Sequence, residues 1–401
     1  MIQIALLGFG VVGSGTAEVL TENRALIEKR FGEAFNIRYI LDLREFPDHP
    51  LGGRVVHSID PILADPEIRV VAEMMGGSHP AYEFTKAALE AGKSVVTSNK
   101  EVVAHYGAEL LATAREHGVS YLFEASVGGG IPIIRPLRDD LAPNEILSVS
   151  GILNGTTNYI LTKMKKEGTD FSLALKEAQS LGYAETDPTA DIEGLDAARK
   201  IVILAALAFG VLISPSEISV QGITGITAEQ TAAADALGCA VKLIGHTERV
   251  GGRVLALVAP HLVPASSPIH HVEGVFNGIL VNADMLGKTF FYGAGAGKLP
   301  TASAVVSDIL NAAAGNVRLP EWTPAAPDRI ADPADRVCRR AFLFKGCARC
   351  AEATKTYFGY ENFLLRDGAF LFISRPMSGR EADAAVAACG KELCWALPVL
   401  D

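Results

Sequence analysis

The sequence has no apolar run long enough to cross a bilayer. Its longest, residues 201–213, covers 13 residues, where a spanning helix needs about 20. A buried core helix is expected there instead. Positive charge is not in excess: 36 Lys and Arg stand against 46 Asp and Glu, a formal net charge of −10. That balance argues against nucleic acid and against an anionic membrane as partners, and leaves small-molecule chemistry open. The opening MIQIALLGFG lacks the basic stretch and small-residue cleavage site of a secretory leader, so a cytoplasmic chain is expected. Cysteine is scarce before the C-terminal region, where Cys239 alone precedes residue 338. Cys347 and Cys350 make one C-x-x-C. A zinc site would want a second such pair or histidines at ligand spacing. Neither is visible, so the expectation is reduced thiols and no metal there. Internal repeats and low-complexity tracts are absent as well.

What is present is alternation. Short apolar runs at 2–7, 37–41, 70–75, 94–97 and 121–124 alternate with helical patterns at 11–31, 82–91 and 102–117. This order predicts an α/β fold with a Rossmann-type, doubly wound parallel sheet over residues 1–130. Residues 131–318 are expected to form a second domain of α+β type. Its predicted strands, at 146–153, 241–248, 255–263, 273–280 and 286–292, are separated by long helices, and a helix follows at 301–314. Pro320, Pro324, Pro327 and Pro333 mark 319–334 as a linker. Residues 335–401 read as a small βαββαβ unit.

Gly8-Phe9-Gly10-Val11-Val12-Gly13 spells G-x-G-x-x-G between a strand and a helix. Glycine there permits a tight turn and lets backbone N–H groups approach a pyrophosphate. The plain alternative is a glycine-rich turn in another α/β protein. Asp42, near the end of the second strand, suits ribose hydroxyls, whereas Arg44 suits a 2′-phosphate. NAD and NADP both stay open. Gly76, closing the 70–75 run, is grouped with the cofactor residues. Ser98 and Lys100 follow a strand and open a helix, at the edge of a parallel sheet that faces the cofactor. A lysine at the positive end of a helix dipole is disfavoured, which points Lys100 toward nicotinamide or substrate.

Glu124 precedes Gly128-Gly129-Gly130, a stretch that fits either a hard-oxygen cage for a small cation or an interdomain hinge. Asn154-Gly155-Thr156-Thr157-Asn158 lies at a strand-to-helix junction. Its amides and hydroxyls, at Gly155 and Thr156 above all, suit a carboxylate or serve as a cap. The segment LGYAETDPTADIEGLDAARK, residues 181–200, holds Glu185, Asp187, Asp191, Glu193, Asp196 and Lys200. Asp196 and Lys200 are four apart and Glu193 is three before Asp196, so one helix face is predicted to carry all three. Lys200 sits where this polar cluster meets the apolar run, a place for a proton donor to a forming alkoxide. Glu185 and Asp196 suit a substrate ammonium, and Asp191 is grouped with them. The bland alternative is a surface salt bridge. A second glycine loop, residues 293–297, precedes the 301–314 helix and reads as a cofactor cover or a tight connector.

Together TSNKEVVAHYG, EASVGGGIPII, GILNGTTNYIL, GYAETDPTADIEGLDAARK and GAGAGKLPTASAV resemble the homoserine dehydrogenase family over residues 1 to about 318. The resemblance implies NAD(P)H-dependent reduction of L-aspartate 4-semialdehyde to L-homoserine, in threonine, methionine and isoleucine biosynthesis. It implies Lys200 as proton donor, Lys100 at the cofactor assisting catalysis, and Glu185 and Asp196 on the amino-acid substrate. It places Phe9, Val11, Val12, Ser98, Gly182 and a glycine of the 293–297 loop, taken as Gly297, along the dinucleotide. The Glu124 side chain, with backbone oxygens of Val127, Gly129 and Ile131, resembles the family's sodium site. A homodimer or higher homo-oligomer is implied, with residues near 131–150 and 300–318 as contacts. The tail is similar in order to an ACT regulatory domain but short, without a familiar effector loop. No kinase segment precedes the first strand, so a monofunctional chain is expected. The competing readings are another two-domain amino-acid dehydrogenase, such as an aspartate dehydrogenase, and a dinucleotide sensor without catalysis.

Overall fold

The computed structural model describes residues 1–315, 317–366 and 368–400. Two compact units share the chain by interleaving: Met1–Glu145, Val202–Pro215 and Gly293–Ala325 form one, and Ile146–Ile201, Ser216–Tyr292 and Ala326–Asp401 the other.

The first unit is built on β1 (Ile2–Leu7), β2 (Phe35–Leu41), β3 (Val55–Val56), β4 (Ile68–Glu73), β5 (Ser94–Thr97) and β6 (Tyr121–Leu122). They lie in the order β3-β2-β1-β4-β5-β6, all parallel. The near-continuous apolar strands follow from burial on both faces. The helix expected over 11–31 is two, Val11–Glu22 and Arg24–Phe31, broken at Asn23. Gly32 ends the second in a left-handed turn at φ 87°.

The helix Lys298–Ala314 also belongs to this unit, which divides the contiguous 131–318 domain expected from sequence. Its Ala304, Val305, Val306, Ile309 and Ala313 join Ile4, Leu6 and Val96 in one core. A Cβ at Gly15 would lie 2.9 Å from Lys298 Cγ, so that glycine lets the first helix meet the returning one. Order along the chain does not reveal such a return, because an alanine-valine face fits any apolar partner. The 319–334 segment, read as a linker from its prolines, is tied down at several points. Trp322 is buried, with its ring 2.6 Å from where a Cβ at Gly107 would stand. Arg115 donates to Pro320 O at 2.7 Å. Farther on, Ala331 N donates to Val254 O at 2.9 Å within the second unit.

The second unit's six-stranded sheet runs Gly287–Ala294, Phe276–Ala283, Ile146–Ile152, Cys239–Val250, Arg253–Pro264, Ser219–Val220. The strands expected here exist, but long helices do not separate them all. Cys239–Val250 and Arg253–Pro264 are joined by Gly251-Gly252 alone, at φ 56° and 79°. That is the two-residue hairpin for which paired glycines are suited. The C-terminal strands Arg340–Lys345, Leu364–Arg366, Ala369–Ile373 and Leu393–Pro398 form an antiparallel sheet. With helices Ala348–Phe358 and Gly379–Cys389 they give βαββαβ. Its core is a cluster of Phe342, Phe344, Phe358, Phe370 and Phe372. Among the described residues no helix is long and apolar enough to cross a membrane.

Candidate active site

The glycine turn lies between β1 and helix Val11–Glu22. Gly8 has φ +88°, and a Cβ on Gly13 would stand 2.1 Å from Gly8 O. Gly10 instead faces open space. The helix starts at Gly10 with no side-chain cap and no acidic residue in its first turn, so its positive end is left for an anion. Phe9 N donates to Asp42 Oδ2 at 2.8 Å, which fixes the turn to the end of β2. Arg44 Nε and Nη2 reach Asp42 Oδ1 and Oδ2, both at 3.0 Å. These bonds, Arg44's above all, hold the Asp42 carboxyl down at about 2. A groove of about 480 Å³ is bounded by Gly8, Gly10, Asp42, Arg44, Met75 and Gly76, a size that accepts part of a dinucleotide. Val11 is exposed beside it, while Val12 is partly buried.

Beyond β4 and β5 a buried network holds two loops, and sequence reasoning missed its centre, Glu73. That carboxylate accepts from Met75 N at 2.7 Å and from Thr97 Oγ1 at 2.5 Å. Thr97 Oγ1 accepts from Asn99 N at 2.9 Å, and Asn99 Nδ2 donates to Gly77 O at 2.8 Å. Asn99 Oδ1 caps the helix Lys100–Glu116, taking bonds from Glu101 N and Val102 N. Ser98 and Lys100 therefore sit on a loop tied from beneath to the Met75–Gly77 turn. Burial lifts the Glu73 carboxyl to about 7. A glutamate at a strand end carries no motif, so nothing in sequence marks it.

Glu124 is buried, and its carboxylate accepts from Ile133 N at 2.6 Å, Ile134 N at 2.9 Å and Arg135 N at 2.8 Å. This departs from the expected side-chain ligand: the carboxylate is committed to three amides. The glycines after it serve close packing. A Cβ at Gly129 would lie 2.6 Å from Gly295 O, and one at Gly130 2.8 Å from Pro300 Cβ. The two glycine-rich loops therefore pack on each other, and Gly297 caps the helix Lys298–Ala314 at φ 121°. Among the described residues no group of three or more His, Cys, Asp or Glu side chains is gathered for a metal.

The second unit gathers the lysine cluster. Lys200, buried on helix Leu195–Phe209, donates to Asp196 Oδ2 at 2.6 Å and Leu153 O at 2.7 Å. Asn154 Nδ2 donates to Asp196 Oδ2 at 2.9 Å and Asp191 Oδ1 at 2.7 Å. Its Oδ1 caps helix Gly155–Glu167 through Thr157 N. Gly155 cannot carry a side chain, since a Cβ would stand 2.6 Å from Val275 O. Thr156 Oγ1 donates to Tyr183 O at 2.6 Å. Glu193 does not share the helix face expected of it: Gly194, at φ +82°, interrupts the chain before Leu195. Glu185 is exposed on the turn that follows Gly182, itself a helix stop at φ +74°. A lysine held by one carboxylate and one carbonyl, with a helix N-terminus beside it, is equipped to bind an amino acid and move a proton.

The first unit is a dinucleotide-binding domain of the kind that serves oxidoreductases. The sequence models of "Homoserine dehydrogenase, NAD binding domain" and "Homoserine dehydrogenase" match residues 8–124 and 132–310. The chain is 45% identical to the homoserine dehydrogenase of Neisseria gonorrhoeae over 314 residues, 78% of this chain and 72% of that protein. It is 43% identical to that of Bacillus subtilis over 321 residues, 79% and 74% of the two chains. A homoserine dehydrogenase structure from Thiobacillus denitrificans superposes with a TM-score of 0.90 at 34% identity, covering 100% of this chain and 98% of that one. A hyperthermophilic archaeal homoserine dehydrogenase in complex with NADPH gives 0.68 at 29% identity, over 79% and 99%. The chain belongs to the homoserine dehydrogenase family, oxidoreductases acting on CH–OH with NAD(P).

Proposed function

We propose that the chain catalyses the reversible NAD(P)H-dependent reduction of L-aspartate 4-semialdehyde to L-homoserine, with Lys200 as proton donor to the aldehyde oxygen. The carrying observation is the buried Lys200, oriented by Asp196 and Leu153 O. The nicotinamide supplies the hydride. Asp196, Asp191 and Glu185 receive the substrate ammonium, and the amides of Gly155 and Thr156 its carboxylate. Gly8–Gly13, Gly76, Ser98 and Gly297 line the cofactor, with Gly182, and Lys100 meets its nicotinamide end. Arg44 lies over Asp42, and this supports NADP as the favoured dinucleotide.

The reading includes a cytoplasmic homodimer in threonine and methionine biosynthesis. It also includes a sodium ion held by backbone oxygens of Val127, Gly129 and Ile131, with Glu124 shaping the loop. Successive left-handed residues, Gly128 at φ 75° and Gly129 at φ 55°, turn neighbouring peptide planes as such a cage requires. Neither aspartate dehydrogenation nor a sensing role draws support from the relatives.

The test is absorbance at the nicotinamide band with L-homoserine and either cofactor, for wild type and Lys200→Ala. Turnover by wild type, lost in the variant while cofactor still binds, is the expected result. An inactive wild type with both cofactors overturns the reading.

A further inference from the structure

Cys347 and Cys350 lie at the start of helix Ala348–Phe358, in the C-terminal βαββαβ segment and beyond the span of the matching family models. Cys347 is the N-cap and is exposed, whereas Cys350 is half-buried and packs against the phenylalanine core. Their sulfurs are 3.7 Å apart. Gly346 makes this possible: its φ is +145°, and a Cβ there would meet Cys350 Cβ at 2.8 Å. The backbone N–H of Cys350, then its thiol, then the N–H of Arg349 point at the Cys347 sulfur and hold that thiol below its ordinary range. Thiolates at helix N-termini in C-x-x-C pairs are the reactive kind. Among the described residues no third ligating side chain joins the pair for a metal. The other cysteines lack this setting: Cys239 and Cys338 are buried, Cys389 is half-buried at the last residue of helix Gly379–Cys389, and Cys394 is exposed on a strand.

We propose that Cys347 and Cys350 form a thiol–disulfide exchange site whose co-substrate is a low-molecular-weight disulfide. The Cys347 thiolate attacks one sulfur of that disulfide, whose S–S bond breaks, and the departing thiolate takes a proton from water. A mixed disulfide on Cys347 results. Cys350 then gives its proton to water, and its thiolate attacks Cys347 Sγ. The second half of the co-substrate leaves and is protonated. Two electrons pass from the dithiol to the co-substrate, two thiols are released, and one Cys347–Cys350 bond forms. Exposure of the first sulfur and shielding of the second fix this order of attack.

The test equilibrates the full chain with mixtures of reduced and oxidised glutathione and reads each cysteine by peptide mass spectrometry. The wild type should form the Cys347–Cys350 disulfide. Cys350→Ser should accumulate glutathione on Cys347, and Cys347→Ser should leave Cys350 unmodified. Circular dichroism checks that both variants fold. A wild-type pair that stays reduced in excess oxidised glutathione overturns the proposal. So does Cys350→Ser with glutathione spread equally over Cys347 and Cys394. If a variant does not fold, limiting iodoacetamide on the wild type decides. Cys347 should react about tenfold faster than Cys394, and equal rates overturn the proposal.

Discussion

Asn154 and Asp196 are joined by a hydrogen bond of 2.9 Å, and the same amide nitrogen also holds Asp191 at 2.7 Å. One neutral side chain thus keeps two carboxylates together while its oxygen caps the neighbouring helix. Asn154→Ala removes both functions. The lost cap costs about 1 kcal/mol and lowers the melting temperature. The larger change should be a KM for homoserine raised about tenfold or more, because the acids proposed to receive the ammonium lose their shared donor. Asn154→Asp keeps the cap but adds a third negative charge. A melting temperature near wild type with a raised KM would separate the two functions.

Asp196→Asn keeps the volume beside Lys200 and removes its ionic partner. We expect kcat to fall by about 10²–10⁴, with little change in cofactor affinity measured by nicotinamide fluorescence. Equal losses in both would mean the residue acts on the fold rather than on the proton.

A Cβ at Gly13 has only a backbone carbonyl to displace, Gly8 O at 2.1 Å. Gly13→Ala should destabilise by about 1–3 kcal/mol and raise the KM for cofactor more than that for homoserine. Gly10→Ala faces empty space and should leave stability intact while weakening cofactor binding alone. Chemical denaturation and steady-state kinetics on the two variants test the contrast.

Arg44 covers Asp42, whose carboxyl is held near 2 chiefly by the Arg44 hydrogen bonds. The acid is therefore ionised across the working range, and cofactor preference should not change between pH 6 and pH 9. Arg44→Ala uncovers it. The ratio of kcat/KM for NADP to that for NAD should drop about tenfold or more.

Burial holds the Glu73 carboxyl at about 7, above its unfolded value of about 4.3. Between these two values only the folded state keeps the proton. The contribution of this group to stability is thus fully present below about 4, is lost as pH rises toward about 7, and changes no further above it. Glu73→Gln should flatten this slope, read as denaturation midpoints across that window. It should also loosen the Thr97–Asn99 loop and lower kcat.

Much of this was written in the chain. The parallel sheet, the glycine turn, the C-terminal βαββαβ order and the Asp196–Lys200 pairing all rest on local spacing, which sequence displays. Most of the departures come from contact between distant segments. Asn154 is the cap that local spacing suggests, but its further bonds to Asp191 and Asp196 join segments that spacing does not connect. The packing of Gly129 and Gly130 on the 293–300 segment is invisible in sequence because the two stretches lie far apart in the chain. Glu193 was placed on the helix face because the positive φ of Gly194 has no signature beyond glycine itself. Glu73 had no motif at all.

The interleaving of the first unit has a consequence during synthesis. When a ribosome has released residue 145, β1 to β6 are all available, yet Ala304, Val305, Val306 and Ile309 of their shared core do not exist until Lys298–Ala314 emerges. The nucleotide domain must wait, with an apolar face unfilled, while the whole second sheet is made. Nascent chains of intermediate length are therefore those with most need of a chaperone. A chain stopped before that helix would lack a finished cofactor domain, however intact its N-terminal motif.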